Sequence, residues 1–304
     1  MSFSSQVKEE LCRGSVSKKC CALAESYGVL LFCNRFCADD IRIITASVPF
    51  AERLPRLFRR AFGFGFDSAR MPQGRSKGLL RITDAEKIAA VFRAYGYEPE
   101  SNLVHHINLA AVESDCDRQA FLRGAFLAGG SLTEPSERYH LEMVTDHASV
   151  SRELHSLLLE AGFDPKNSAR AGHWVTYFKR SDAIEDFLTT VGAPLSAMGM
   201  MEAKVQKNMN NTINRRTNCD MGNAGRVSGA SQEQLAAIRR LEESAGLDAL
   251  PAPLQETALL RIANPDSGLA ELAMLADPPV SKSCMAHRMR RLIELGQHHT
   301  ILDR

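Results

Sequence analysis

Apolar and polar positions along this chain alternate between a helical and a strand period, and the order of those periods recurs. A helical pattern over about 18–35 gives way to Ile41–Ser47, whose β-branched residues predict a strand. From Pro49 to Phe62 the apolar residues Leu54, Leu57, Phe58 and Ala61 recur at intervals of three and four, the spacing of one helix face. Phe64–Arg70 and Gly78–Thr83 predict two further strands around the turn residues Pro72, Gln73 and Gly74. Asp84 is then a suitable N-cap for a helix through Ile88, Val91 and Phe92.

The following hundred residues repeat that order. A helix over about 117–129 precedes a strand at Tyr139–Thr145 and a helix from His147 to Ala161 that carries Leu154, Leu157 and Leu158. Strands are predicted around Lys166–Ala171 and His173–Lys179, and Ser181 is read as the cap of a helix through Ile184, Phe187 and Leu188. Each half is headed by a short apolar helix bearing glycine, Ser26–Asn34 in the first and Leu122–Gly130 in the second. Their separation of roughly a hundred residues is the spacing of an internal duplication. The predicted class is α+β, a duplicated αββαββα domain with a pseudo-two-fold, followed by an all-α domain.

From about Glu202 to Gly229 the composition changes. Lys204, Lys207, Arg215, Arg216 and Arg226 are interleaved with asparagines 208, 210, 211, 214, 218 and 223, and apolar residues are few. This reads as a basic, Asn-rich linker that starts as the continuation of a helix. Helices are predicted again from Ser231 (Leu235, Ile238, Leu241) and after Pro251 and Pro253 (Leu254, Ala258, Leu259, Ile262). The expected boundaries are 1–112 and 113–201 for the two repeats, 202–230 for the linker and 231–304 for the helical domain.

The net charge of +1 over 304 residues points to no class of partner until its distribution is considered. The stretch 281–293 contains Lys282, Arg288, Arg290 and Arg291 and no acid. Before it, Ser267–Leu275 has leucines at three-residue spacing, and Asp277-Pro278-Pro279 must end that helix. A new helix then starts with Ser281 as N-cap and meets Gly296, read as its stop. On a helical wheel Met285, Met289, Leu292 and Ile293 share one face, and Ser283, His287, Arg290 and Arg291 share the other. Helix, tight turn and basic amphipathic helix, over about 267–296, is the layout of a helix-turn-helix unit that sets its second helix in the major groove of double-stranded DNA. Ser281, Lys282, Ser283, His287, Arg288, Arg290 and Arg291 are the candidate DNA contacts, with Lys207, Arg215 and Arg216 as weaker candidates from the linker. His298 and His299 read as a frayed tail.

Eight cysteines (12, 20, 21, 33, 37, 116, 219 and 284) form no CxxC pair, so their spacing fits neither a zinc ribbon nor a thioredoxin-like site. They read as scattered reduced thiols, small apolar residues in or near the core, and no metal site or cofactor is expected. The start of the chain lacks the apolar core of a signal peptide, and no apolar run is long enough for a membrane span.

Leu122, Gly124, Ala128 and Gly130 resemble the LAGLIDADG motif, and Gly28, Leu30 and Leu31 form a weaker first copy. The resemblance implies two helices packed side by side, their approach permitted by Gly28, Gly124, Ala125 and Ala128. In that family each helix delivers one acid to a shared metal-dependent phosphodiesterase site, and Mg²⁺ requires such oxygen ligands. Here the acid positions are occupied by Cys33 and Gly129. Glycine has no ligand atom and a thiol is a poor partner for Mg²⁺, so no catalytic residue is assigned. Asp39, Asp40 and Glu134 lie beyond the helix ends and are expected to point elsewhere. Arg42, Arg81 and Lys179, together with Glu142, fall on the candidate sheet surface.

At the C-terminus, Pro278-Pro279-Val280-Ser281-Lys282-Ser283, then His287-Arg288 and Arg290-Arg291-Leu292, resemble the signature of the WhiA family of transcription regulators linked to sporulation and cell division. Val205-Gln206-Lys207, Asn214-Arg215 and Asn218-Cys219 resemble the linker of that family. Cys284 departs from it, standing where a small residue such as glycine is common, and is expected to face outward. The resemblance implies a cytoplasmic, nucleoid-associated, non-enzymatic, sequence-specific DNA-binding regulator with no small-molecule substrate and no membrane. Its expected partners are promoter DNA and other transcription regulators or RNA polymerase. The duplicated domain would provide a partner surface, a second DNA contact, or both. The competing readings are a metal-dependent homing endonuclease and a protein-binding scaffold that touches DNA only non-specifically.

Overall fold

The computed structural model describes residues 2–98 and 104–298, with side chains described except at 220, 222–228 and 298. The predicted places of His299, and of the side chains of Asn223, Arg226 and His298, therefore lie outside the described residues. Two compact units divide the chain, 1–208 and 209–304.

The first unit opens with a helix that periodicity did not reveal, α1 (Phe3–Arg13), capped by the Ser2 side chain and burying Phe3, Val7, Leu11 and Cys12. The first repeat then runs α2 (Lys19–Leu31), β1 (Arg35–Phe36), β2 (Ile41–Thr45), α3 (Val48–Phe62), β3 (Ser68–Arg70), β4 (Gly78–Ile82) and α4 (Ala85–Ala94). The second runs α5 (Asp115–Gly129), β5 (Gly130–Leu132), β6 (Leu141–Thr145), α6 (Ala148–Glu160), β7 (Lys166–Arg170), β8 (His173–Phe178) and α7 (Ser181–Val191). Both are αββαββα. Both antiparallel sheets also have one order, β1-β2-β4-β3 and β5-β6-β8-β7, so the duplication extends from element order to hydrogen-bonded topology. The short strands β1 and β5 were not predicted, because two or three residues show no alternation. Asp84 caps α4 as expected, accepting from the Lys87 N–H at 2.9 Å. Ser181 is instead the first helical residue of α7, with Arg180 at the cap and no side-chain capping bond.

α2 and α5 pack through the centre of this unit, and their contact explains why glycine occupies both crossings. A Cβ at Gly28 would lie 2.1 Å from the Phe121 carbonyl oxygen, and one at Gly124 would lie 2.0 Å from that of Glu25. Any side chain would push the backbones apart. Ala125 is fully buried, and the half-buried Ala128 packs against the same core. The approach also buries Glu25, whose carboxylate is held by Arg53 of α3 through Nε at 2.5 Å and Nη2 at 2.9 Å. The remaining Arg53 nitrogen donates to the carbonyls of Cys12 and Gly14, so one side chain ties α3 to α2 and to the end of α1. A buried pair of this kind is tolerable because its charges are matched by directed hydrogen bonds.

After α7, helix is continuous from Pro194 to Ser244 (α8). Its start is capped by Glu10, which accepts from the N–H groups of Leu195 and Ser196 at 2.8 Å each. The segment 202–230, read from composition as a linker, is thus helical, and no new helix begins at Ser231. Asparagine has modest helix propensity, yet few of these residues are glycine and none is proline, so nothing forces a break. The second unit takes the C-terminal part of α8 and adds α9 (Ala252–Ala263), α10 (Leu269–Leu275) and α11 (Lys282–His298). Its core is formed by Ile238, Leu241, Ala258, Leu272, Ala273, Met285, Met289 and Leu292. Gly296 does not stop α11. A Cβ there would lie 2.7 Å from the Ala237 carbonyl oxygen, so this glycine lets α11 approach α8 closely. Among the described residues no helix is long and apolar enough to cross a membrane.

Candidate nucleic-acid interface

The second unit sets α11 against α9 and α10 by its apolar face. Met285, Met289 and Leu292 are buried, and Ile293 on the same side is half-buried. Ser281 caps the helix, its Oγ accepting from the Cys284 N–H at 3.2 Å. Because the apolar stripe fixes the rotation of the helix, Lys282, Ser283, Cys284, His287, Arg290 and Arg291 are all exposed. Arg291 is loosely paired with Glu294 at 3.0 Å, and both side chains remain about half in water.

Arg288 stands apart from that exposed set. Its Nη1 lies 3.2 Å from Glu256 Oε2 of α9, and only 19% of its side chain is exposed. Glu256 Oε1 also accepts from the Asp277 N–H at 2.7 Å, in the turn between α10 and α11. One carboxylate therefore fixes both the turn and the start of the basic helix. The Val280 N–H, donating to the Ala273 carbonyl at 2.9 Å, closes the same turn. On the other side of α10, the buried Arg261 donates through Nη1 to the carbonyls of Asn264, Pro265 and Ser267, which sets the loop leading into α10. Neither Glu256 nor Arg261 was singled out from sequence, since a lone charge in an amphipathic helix gives no sign of what it will meet.

The weaker candidates divide. Arg215 and Arg216 are exposed on α8. Lys207 is half-buried, donates to the Glu137 carbonyl at 2.9 Å and has its Nζ 5.1 Å from the centre of the Tyr139 ring.

In the first unit, among the described residues, the ends of α2 and α5 carry no paired carboxylates. A Cβ at Gly129 would lie 2.5 Å from the Val144 carbonyl oxygen and 3.0 Å from the Phe32 ring, so an acid there would have to displace backbone. Cys33 lies within donor reach of the Leu30 and Arg35 carbonyls, at 3.1 and 3.2 Å. Burial pushes its thiol up to about 12, outweighing the opposing effect of nearby backbone groups. The acids beyond the helix ends are engaged elsewhere: Asp39 pairs with Arg35, and Glu134 accepts from the Phe3 N–H.

The two sheets differ in charge at matching places. On β2 and β4, Arg42 and Arg81 are paired in register and both reach the buried Asp40 at 2.6 Å, with Arg35 at 3.5 Å. Burial alone would raise the Asp40 pKa, but the hydrogen bonds from Arg81 and Arg42 hold it below the usual carboxylate range. On β6 the place of Arg42 is taken by Glu142, which faces Tyr177 across the ladder and contacts His140 and Arg170. Lys179 is exposed just beyond β8, its Nζ 5.1 Å from the Tyr177 ring centre. Glu142 and Asp40 thus offset much of the positive charge expected on the sheets.

The cysteines are not small core residues as a group. Cys12 is buried and Cys21 and Cys33 pack half-buried against the core, while the fold gathers Cys20, Cys21 and Cys116 into one place. Sequence spacing concealed this because Cys116 is nearly a hundred residues from the other two.

Two αββαββα repeats closing on a pair of glycine-bearing helices, followed by a helix-turn-helix unit, define the class: a LAGLIDADG-like fold joined to an HTH domain. Residues 118–210 match the WhiA LAGLIDADG-like domain, and residues 213–296 match the WhiA C-terminal HTH domain. The chain is 32% identical to the probable cell division protein WhiA of Ruminiclostridium cellulolyticum, over 98% of its own length and 97% of that protein. It is 34% identical to the protein of the same description from Desulfitobacterium hafniense strain Y51, over 98% and 96%. The crystal structure of full-length DUF199/WhiA from Thermatoga maritima shares the fold, with a TM-score of 0.59 at 21% identity over 98% of this chain and 99% of that one. The chain belongs to the WhiA family.

Proposed function

We propose that this protein is a sequence-specific, duplex-DNA-binding regulator acting in cell division, and that it reads promoter DNA through α11. The carrying observation is the division of that helix into two faces. Met285, Met289 and Leu292 are buried, while Ser283, His287, Arg290 and Arg291 are left in solvent by a turn fixed through Glu256. In a helix-turn-helix, residues near the start of the second helix meet base edges. Ser283 and His287 have that position and hydrogen-bonding capacity. Arg290 and Arg291, further along, suit phosphates. Arg288 is assigned to holding the helix, because its guanidinium is already engaged by Glu256. Lys282, Arg215 and Arg216 are left as exposed phosphate-binding candidates. Association with the nucleoid follows from this reading.

The first unit is proposed to have no phosphodiesterase activity. Gly129 offers no side-chain oxygen and no room for one, and the Cys33 thiol stays protonated near neutral pH. Its sheets, with Arg42 and Arg81 committed to Asp40, are read as a secondary surface for DNA or protein.

Affinity of the full-length protein for promoter and random duplexes, measured by fluorescence anisotropy over a range of salt, tests the reading. Promoter DNA should bind more tightly at every salt. Arg290→Ala/Arg291→Ala should weaken both duplexes and reduce the salt slope by about 2, one released counterion for each lost phosphate contact. Equal affinity for the two duplexes would leave only non-specific binding, and an unchanged salt slope would move the interface off α11. Site-specific cleavage of plasmid in Mg²⁺ would overturn the non-enzymatic assignment.

A further inference from the structure

We propose that the N-terminal ends of α2 and α5 form a site for a thiophilic divalent metal ion of the Zn²⁺ class, with Cys20, Cys21, Cys116 and Asp117 as ligands. The three sulfurs and a carboxylate oxygen of these residues all lie within 4.8 Å of one another. Zn–S bonds of about 2.3 Å and Zn–O bonds of about 2.0–2.2 Å place tetrahedral donors roughly 3.3–3.8 Å apart. The cluster therefore needs to contract by about 1 Å, which side-chain rotation can supply because Cys20 is exposed and the other three are half-buried.

The ligands come together for a reason built into the duplication. Cys20 and Cys21 are the second and third residues of α2, and Cys116 and Asp117 are the second and third of α5. Cys20 and Cys116 are 96 residues apart, as are Cys21 and Asp117, and as are the crossing glycines Gly28 and Gly124. The helices that meet at those glycines thus each contribute a symmetry-related pair. The cluster is also distant from the site where relatives of this fold would place catalytic acids, since Asp117 and Gly129 are about 18 Å apart along α5.

The chemistry of the donors selects the ion. Three thiolates with one carboxylate suit Zn²⁺ or Cd²⁺, whereas Mg²⁺ and Ca²⁺ require an oxygen shell. Ser114, just before α5, donates to Asp117 Oδ2 at 2.5 Å and lies 3.3 Å from Cys116 Sγ, an outer-shell contact that orients two ligands. Four protein ligands fill a tetrahedral shell, so the site is structural and fastens one repeat to the other. On binding, each of the three thiols gives up its proton to solvent as its sulfur bonds the ion. Asp117 bonds the ion through a carboxylate oxygen, and no electron is transferred. Apparent affinity therefore rises with pH.

The test uses the reduced, chelator-treated full-length protein titrated with Co²⁺ and then Zn²⁺. Thiolate-to-Co²⁺ charge-transfer absorption should saturate at one ion per chain, with tetrahedral visible bands, and Zn²⁺ should abolish both. Cys21→Ser and Cys116→Ser should each remove the visible bands, whereas Cys219→Ser and Cys284→Ser should leave them intact. Asp117→Cys should keep binding and raise the charge-transfer intensity by about one third, four thiolates replacing three. That gain shows the site even where a serine variant folds poorly. Absence of saturable charge transfer, a spectrum unchanged by Cys20→Ser/Cys21→Ser/Cys116→Ser, or a disulfide among these cysteines in anaerobically purified protein would overturn the proposal.

Discussion

At Gly124 the addition of one methyl group would place carbon 2.0 Å from the Glu25 carbonyl oxygen, and the same change at Gly28 would place it 2.1 Å from that of Phe121. Backbone cannot yield there as a flexible side chain would, so Gly124→Ala should destabilise the first unit by about 3 kcal/mol or more. Urea melts followed by far-ultraviolet circular dichroism measure this, and a loss below about 1 kcal/mol would mean that the helices separate easily. Lys8 has a different constraint. Burial lowers its pKa to about 8, against a smaller opposing effect of Cys12, while its Nζ donates to the Leu127 carbonyl at 3.1 Å. Below pH 8 the ammonium is charged in the folded and unfolded chains alike, and the folded chain bears the burial cost. Between about pH 8 and 10.5 the unfolded chain holds more protons, so the Lys8 contribution makes stability rise with pH. Lys8→Met should remove that part of the slope, and parallel stability–pH curves for the two proteins would refute the assignment.

Elements depend on contacts that their own sequences announce unevenly. The amphipathic pattern of α11 was legible, and its cap at Ser281 and buried methionines follow from it. Its anchoring was not, because Glu256 lies on α9 and its partners are the Asp277 N–H and Arg288. Glu256→Ala leaves a donor and a guanidinium without their acceptor and should cost about 1–2 kcal/mol in urea unfolding of the second unit. It should also weaken promoter binding, although Glu256 is acidic and its removal makes the unit more positive. Tighter binding to promoter DNA would show that net charge outweighs helix placement. The uneven legibility is equally clear in the strands. β2, rich in β-branched residues, and β6 run over five residues and are legible in the sequence, whereas β1 and β5 exist by pairing with them and are not.

For the molecule as a whole, duplication supplies the central helix pair and two sheets of the same strand order, while the second unit carries the exposed basic helix. A chain ending at Asn208 should keep the cooperative unfolding of the first unit and lose promoter binding by at least tenfold in anisotropy titrations, about 1.4 kcal/mol. Promoter affinity kept by that fragment would relocate recognition to the sheets, against the offset of Arg42 and Arg81 by Asp40.

By itself the sequence determined the local and periodic features: the repeated order of elements, the small residues of the central helices, the missing acids at Cys33 and Gly129, and the two faces of α11. Each follows from spacing within one element or from the identity of one residue. Tertiary structure alone decided which distant groups meet. It joined Arg53 to Glu25, set Glu256 beneath the turn, made Gly296 a point of close approach instead of a stop, and brought Cys116 to Cys20 and Cys21. Such contacts depend on the relative placement of elements far apart in the chain, and hydrophobic periodicity records which face of an element is buried but not what it is buried against.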